Sequence, residues 1–255
     1  MLEIVKPEHN LATILAKSNG QKVILADLPQ ELLPQDEEQA YAIQREILAI
    51  RNVKIGGWKV GAQSMDAPIR YSPLPSDCVY KSPATFALDP FARNGLELEI
   101  AFCFGKGFEP AETAYSDEEI WAGVKYMAAA IEVIASRFKE WPEVETFTQL
   151  ADFQNNDALV FGSFVPYKDT YPFLSPELSF SFGGTSIVKQ PPSNPAGDPR
   201  RLLPWLVNQC ILKGEKFRQG TIVTTGTYTG VYFPSKPGIA IGLIDGLPPV
   251  RLILE

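Results

Sequence analysis

The stretch Leu96-Glu97-Leu98-Glu99-Ile100-Ala101-Phe102-Cys103-Phe104-Gly105 decides how this chain is read. Leu96, Leu98, Ile100, Phe102 and Phe104 recur at every second residue, the period of a β-strand, and mark one apolar face. Glu97 and Glu99 share the other face, roughly 7 Å apart at Cα, so their carboxylates can converge on one cation. A strand with one wet face would alternate in the same way, but here the acidic face continues with the small, apolar Ala101 and Cys103. A third carboxylate, Glu132, stands in Ala128-Ala129-Ala130-Ile131-Glu132-Val133-Ile134-Ala135. A glutamate in such a run is rarely buried unless it is paired, protonated or on a metal.

Three carboxylates in one pocket need a counter-charge. Two of them at about 4 Å repel by roughly 4 kcal/mol at an effective dielectric near 20. Either protons are taken up or a divalent cation binds. Three monodentate oxygens leave positions of an octahedral Mg²⁺ or Mn²⁺ open for water and for a chelating 2-oxo acid, whose enolate such a cation stabilises. Enolate chemistry also needs a proton carrier. Lys59, in Gly56-Gly57-Trp58-Lys59-Val60-Gly61, is the candidate, because the flanking glycines let backbone approach closely and a desolvated lysine shifts its pKa readily.

Composition narrows the chemistry further. The 255 residues are 45% hydrophobic and 21% charged, as in an ordinary globular protein, and the net charge of -7 argues against nucleic-acid or basic membrane-surface binding. No apolar run reaches transmembrane length, and Met1-Leu2-Glu3-Ile4-Val5-Lys6-Pro7 lacks a signal-peptide layout. Cys78, Cys103 and Cys210 are odd in number and widely spaced, which predicts reduced thiols in the cytoplasm. The single histidine, His9, sits in a polar setting and reads as a surface residue. That argues against Ser-His-Asp or Cys-His nucleophiles and against a histidine-bound zinc or copper.

In chain order, a helix is expected after Pro7, with Leu11, Ile14 and Leu15 inward and a stop at Asn19-Gly20. Asp36-Glu37-Glu38-Gln39 resembles a capping box opening a helix with Ala40, Ile43, Ile47 and Ile50 on one face. Trp58 to Gly61 reads as a short strand, and Gln63 to Pro75, with Pro68, Pro73 and Pro75, as a loop. Ser116-Asp117-Glu118-Glu119 starts a helix expected to carry Ile120, Trp121, Val124 and Met127 before the run around Glu132. Asp198-Pro199 suits a helix start, with Pro204 implying a kink or a later beginning. Asp245-Gly246 between two apolar runs predicts a closing hairpin. The expected organisation is α+β: residues 1–75 as a small helical segment with the Lys59 strand, and 76–255 as a mostly β core.

Ala40-Tyr41-Ala42-Ile43-Gln44, Gly57-Trp58-Lys59-Val60-Gly61, the Leu96–Phe102 strand, Ala130-Ile131-Glu132-Val133-Ile134-Ala135-Ser136-Arg137, Ala151-Asp152 and Thr225-Gly226-Thr227 together resemble the 2-keto-4-pentenoate hydratase family of the fumarylacetoacetate hydrolase superfamily. The likeness runs in order over nearly the whole chain. It implies a mixed β-barrel core, Mg²⁺ or Mn²⁺ on Glu97, Glu99 and Glu132, Lys59 as acid/base, and Asp77 as an acidic residue facing substrate. Asp152 and the Thr225-Gly226-Thr227 turn would contribute to substrate binding, the turn through N–H and hydroxyl donors to the substrate carboxylate. It also implies a homo-oligomer acting on a small 2-oxo or 2-hydroxy-dienoic acid.

The chain departs from the family pattern in places. Where relatives tend to have Asn-Ala-Ser after Ala-Asp, it has Phe153-Gln154-Asn155, so Asn155 takes the place of a substrate-touching serine. Asp198-Pro199 replaces a common His-Pro. The expected activity is hydration of a 2-hydroxy-2,4-dienoate in the degradation of aromatic compounds. The alternatives are decarboxylation of a 2-oxo-enedioate or hydrolysis of an acylpyruvate in the same site, and, in another class, a hydratase-like partner subunit without turnover.

Overall fold

The Leu96 strand forms where the alternation places it, spanning Gly95–Phe104, with Leu96, Leu98, Ile100, Phe102 and Phe104 at most 1% exposed. The computed structural model describes residues 7–21, 24–26, 28–88 and 94–255, with the side chains of 7–10 and 19–21 excepted. His9 and residues 1–6, read above for surface placement and a signal layout, lie outside the described side chains and residues respectively. The helices are α1 (Pro7–Gln21), α2 (Glu37–Arg51), α3 (Asp117–Trp121), α4 (Thr146–Ala151) and α5 (Leu202–Leu212). The strands of the first half are β1 (Ile55–Gly61), β2 (Arg70–Pro75), β3 (Val79–Lys81), β4 (Ala84–Phe86), β5 (Gly95–Phe104) and β6 (Val124–Ile134). Those of the second half are β7 (Asn156–Phe161), β8 (Val165–Pro166), β9 (Leu178–Phe182), β10 (Thr185–Ser186), β11 (Ile222–Thr227), β12 (Gly238–Ile244) and β13 (Val250–Leu254).

Two mixed sheets result. The larger runs β2-β1-β11-β5-β6-β7-β3, with β8 paired to β6, and the smaller runs β10-β9-β12-β13-β4. The end strands of the larger sheet, β2 and β3, are joined by only the 3₁₀ turn Ser76–Cys78, so the sheet curls toward closure as a half-barrel. Its outer face carries Leu96, Leu98, Ile100, Phe102 and Phe104 against the smaller sheet, where Gly242 of β12 packs directly on Leu98. Its inner face holds a small apolar cluster of Leu74, Ala101, Ala130, Leu159 and Ile222. This is the α+β architecture with a mixed-sheet core that the sequence predicts. Among the described residues no helix is long and apolar enough to cross a membrane.

Several local expectations change. Asp36 does cap α2, accepting from the Gln39 N–H at 2.8 Å, but Gln39 returns its side chain to the Gln35 N–H instead of completing a box. The buried face of α2 includes Ile43, Gln44, Ile47 and Leu48, while Ile50 is exposed. Residues 70–75 form strand β2 and not a loop; β2 is an edge strand, where the missing N–H groups of Pro73 and Pro75 leave no ladder bond unmade. The Ser116 capping box is complete, yet α3 stops at Trp121, and Val124 and Met127 belong to strand β6. Pro204 lies in the first turn of α5, which begins at Leu202 after a short 3₁₀ turn, so its missing N–H is one that no helical carbonyl would have accepted.

The glycines around Lys59 play different parts. A Cβ on Gly57 would sit 2.8 Å from the Ile222 carbonyl oxygen, so glycine permits the parallel β1–β11 pairing. A Cβ on Gly61 would meet nothing within 4 Å, because that position opens onto a cavity. Trp58 and Val60 point to the opposite side, where Tyr71 stacks on Tyr41 at 4.5 Å and lies 5.6 Å from Trp58, fixing the β1–β2 pair against α2.

Candidate metal centre

Strand register assembles the site. Glu97 pairs with Glu132 across β5–β6, Glu99 with Thr227 across β5–β11, and Lys59 with Thr224 across β1–β11. One oxygen from each of Glu97, Glu99 and Glu132 can be chosen so that all three lie within 4.8 Å of one another. Glu99 and Glu132 are each 1% exposed.

Each buried carboxylate is anchored through one oxygen. Glu132 Oε1 accepts from Lys59 Nζ at 2.6 Å and from Asn156 Nδ2 at 2.8 Å. Glu99 Oε2 accepts from the Thr224 hydroxyl and from the Gly226 N–H at 3.0 Å. The second bond needs a β-bulge at the end of β11, where the register shifts between Thr224 and Thr227 and Gly226 takes φ +89°, a conformation suited to glycine. Glu99 Oε1, Glu132 Oε2 and both oxygens of Glu97 have no hydrogen-bond donor among the described residues.

The electrostatics follow from this crowding. Burial, and then the Glu132 charge, push the Glu97 carboxyl up to about 7, with Lys59 opposing. Burial, followed by Glu132 and Glu97, lifts Glu99 well above the carboxylate range against the Thr224 bond. Burial would lower Lys59, but the Glu132 charge and hydrogen bond, with Glu97 and Glu99, outweigh it and hold the ammonium above its ordinary value. Three hard oxygen donors, each with a free lone pair and two reluctant to ionise alone, suit a hard divalent cation of the Mg²⁺, Mn²⁺ or Ca²⁺ type.

Lys59 also donates to the Gln154 carbonyl at 3.1 Å. That carbonyl is presented by a turn in which Phe153, Gln154 and Asn155 all have positive φ (50°, 51° and 61°), costly for side chains with a Cβ. A buried ion pair braces the turn. Arg137 Nε donates to Asp152 Oδ1 at 2.5 Å, while its Nη groups donate to the Asp152 and Asn156 carbonyls at 2.7 Å each.

Two contiguous cavities open at the glutamates. One of about 200 Å³ is lined by all three and by Lys59, Asn194 and Thr225–Thr227. The other, about 330 Å³, shares Lys59 and Glu97 and extends past Asn155 and Gln149 to Arg70.

The remaining expected site residues divide. Asn155 lines the larger cavity, its Nδ2 on Gln149 Oε1 at 3.1 Å and its buried Oδ1 without a partner among the described residues. Thr225, Gly226 and Thr227 line the smaller one as a bulged strand end and not a turn between strands; the Gly226 N–H goes to Glu99, and the Thr225 and Thr227 hydroxyls to the Ile100 and Gly230 carbonyls. Asp152, fully buried, touches Arg137 and lines neither cavity. Asp77 is not brought to the centre: its half-exposed carboxylate pairs with Arg51 at 2.7 Å, beside a Ser76 N–H that bonds Lys54, five residues before Lys59. Asp198 caps the 3₁₀ turn before α5, grips Arg200 and lines a separate cavity. Asn156, Thr224, Asn194 and the Gln154 carbonyl were not anticipated.

Comparison with known proteins gives a consistent picture. The chain is 22% identical over 253 residues, 95% of each chain, to a 2-keto-4-pentenoate hydratase of Paraburkholderia phymatum. It is 25% identical over 238 residues, 86% of this chain and 84% of the relative, to that of Paraburkholderia xenovorans. Among solved structures, 4-oxalocrotonate decarboxylase from Pseudomonas putida G7, complexed with magnesium and adipate, aligns with TM-score 0.83 at 17% identity over 97% of both chains. Fumarylpyruvate hydrolase from Pseudomonas aeruginosa, in complex with Mn²⁺ and pyruvate, aligns with TM-score 0.55 at 18% identity over 77% of this chain and 88% of that one. No family model matches.

Proposed function

Starting from a homologue of the 2-keto-4-pentenoate hydratases with a fumarylacetoacetate hydrolase-like fold, we propose that this chain is a cytoplasmic, metal-dependent hydro-lyase that adds water to a 2-hydroxy-2,4-dienoate. The observation that carries the reading is the convergence of Glu97, Glu99 and Glu132 oxygens within 4.8 Å, with Lys59 2.6 Å from Glu132. Mg²⁺ or Mn²⁺ held by these carboxylates would supply Lewis acidity to the carboxylate and C2 oxygen of a 2-oxo acid.

The chain's own groups perform the rest. Lys59, fixed by Glu132 and the Gln154 carbonyl, is the acid/base group of the site. With Glu132 it gives a proton to C5 and recovers one from the 2-hydroxyl, so its own protonation is unchanged after ketonisation. Water then adds at C4, conjugated with the new C2 carbonyl, and its second hydrogen is delivered to C3. Thr224 and Gly226 hold Glu99, and Asn156 holds Glu132, in place throughout. Asn155 lies along the path of the substrate tail. Residues 1–75 contribute Lys59 and 76–255 the carboxylates, within a subunit of a homo-oligomer.

A panel of dienoic and 2-oxo acids, followed by ultraviolet absorbance with Mg²⁺ and by product analysis, tests this. Hydration yields one 4-hydroxy-2-oxo acid. Two fragments would replace the proposal with C–C hydrolysis, and CO₂ with decarboxylation. Full activity in Glu132→Gln would contradict the metal assignment.

A further inference from the structure

We infer that the substrate of this site is a dicarboxylate, and that Arg70 receives the carboxylate remote from the 2-oxo end. The inference rests on the reading of the three glutamates as the metal centre, and it names what lies at the other end of the bound acid.

The cavity beyond Lys59 is built for a polar terminus. It leaves Glu99 and Glu132 behind and continues between Gln63, Arg70, Thr146, Gln149 and Asn155. A hydrocarbon tail placed there would displace water from these side chains and return no hydrogen bond to them. Lys59 and Arg70 are the cations among its described lining residues, and Lys59 is held by Glu132 and Gln154.

Strand geometry aims Arg70 at the same space. Across β1–β2, Lys59 pairs with Ser72 and Gly61 with Arg70, so the period of two puts Arg70 on the face of Lys59, one pair further toward the opening. Gly61 opposite it has no neighbour within 4 Å of a would-be Cβ, which leaves the approach clear. Arg70 Nε donates to Glu37 Oε1 at 2.9 Å, which orients the guanidinium plane, while Nη1 and Nη2 have no acceptor among the described residues. Two free, coplanar donors match a carboxylate bidentately.

Calorimetric titration of the Mg²⁺-loaded protein with oxalate, 2-oxohexanoate and 2-oxoadipate tests the inference. The last two have the same carbon count and differ in the terminal carboxylate. We expect 2-oxoadipate to bind about tenfold or more tightly than 2-oxohexanoate, as a charge-assisted bond predicts. In Arg70→Met that preference should vanish, and in Arg70→Lys part of it should survive; oxalate, too short to reach Arg70, binds alike in all three and reports an intact fold. Equal binding of the two longer acids by the unaltered protein, or a preference undiminished in Arg70→Met, overturns the inference while leaving the metal centre standing. Absence of Mg²⁺-dependent oxalate binding overturns the metal centre and the inference with it.

Discussion

Glu97 and Glu132 stand directly opposite one another as register partners across β5–β6, with Lys59 bound to the second and no hydrogen bond to the first. Like charges in this position destabilise a sheet, and at about 4 Å and an effective dielectric near 20 they repel by roughly 4 kcal/mol. Glu97→Gln removes that repulsion. In chelator it should raise the melting temperature by roughly 2–4 °C, the equivalent of about 1 kcal/mol in a chain of this size. The same change should weaken Mg²⁺ or Mn²⁺ binding at least tenfold, because one charged ligand is gone. A thermal melt in chelator and a cation titration check both; a lower melting temperature in chelator would mean that Glu97 is stabilising in its own right.

The crowding also predicts a pH dependence. Glu97 is pushed up to about 7 from an ordinary 4.5, so between these values the folded chain holds a proton that the unfolded chain has released. Its contribution to stability is therefore complete below 4.5 and is lost as pH rises through about 7. A divalent cation replaces that proton. The rise in melting temperature produced by saturating Mg²⁺ should be larger at pH 8 than at pH 5.5, and cation affinity should fall on acidification below 7. An equal rise at both pH values would refute the exchange of proton for metal.

Lys59 should separate catalysis from metal binding. Lys59→Met leaves Glu132 without its cation, so the metal-free protein should lose about 3–5 kcal/mol of stability. Metal affinity should hold or increase, since a competing positive charge has left the carboxylates. The rate should nevertheless fall by about 10²–10⁴, the usual worth of a positioned acid/base group. If affinity and rate collapse together, Lys59 acts only by holding Glu132.

The parts legible in the sequence are those set by short-range pattern. Alternation identified β5, and carboxylates in apolar surroundings identified Glu97, Glu99 and Glu132, because a charge in such a run needs a reason. The Ser116 cap was legible, but the length of its helix was not. Ala128-Ala129-Ala130 favours helix by propensity, and pairing with β5 along its length, joined by β7 from Ala130 onward, makes it strand. Strand β2 was hidden by its prolines, which a sheet tolerates at an edge, and edge position is a property of the whole topology. The partners that finish the site were illegible for a similar reason. Thr224 and Gly226 reach Glu99 through a bulge, and Gln154 meets Lys59 through backbone at positive φ, neither of which local composition reports. Asp77 illustrates the converse: a suitable residue in a suitable motif, held away by Arg51.

The Arg137–Asp152 pair makes the last prediction, and it concerns position. Both side chains are buried, and the pair ties the segment after β6 to the strained 153–155 turn through four hydrogen bonds, two to the Asp152 carboxylate and two to main-chain carbonyls. Removing one partner of a buried pair leaves an uncompensated charge, so Asp152→Ala should cost about 3–5 kcal/mol. Arg137→Met added to it removes that stranded guanidinium and should recover part of the stability, a coupling that a double-mutant cycle reads directly. Because Asp152 lines neither cavity, loss of the turn should appear in the rate constant, through the Gln154 carbonyl and Lys59, more than in the KM for substrate. A fall in substrate affinity with an unchanged rate constant would instead place Asp152 in contact with the substrate.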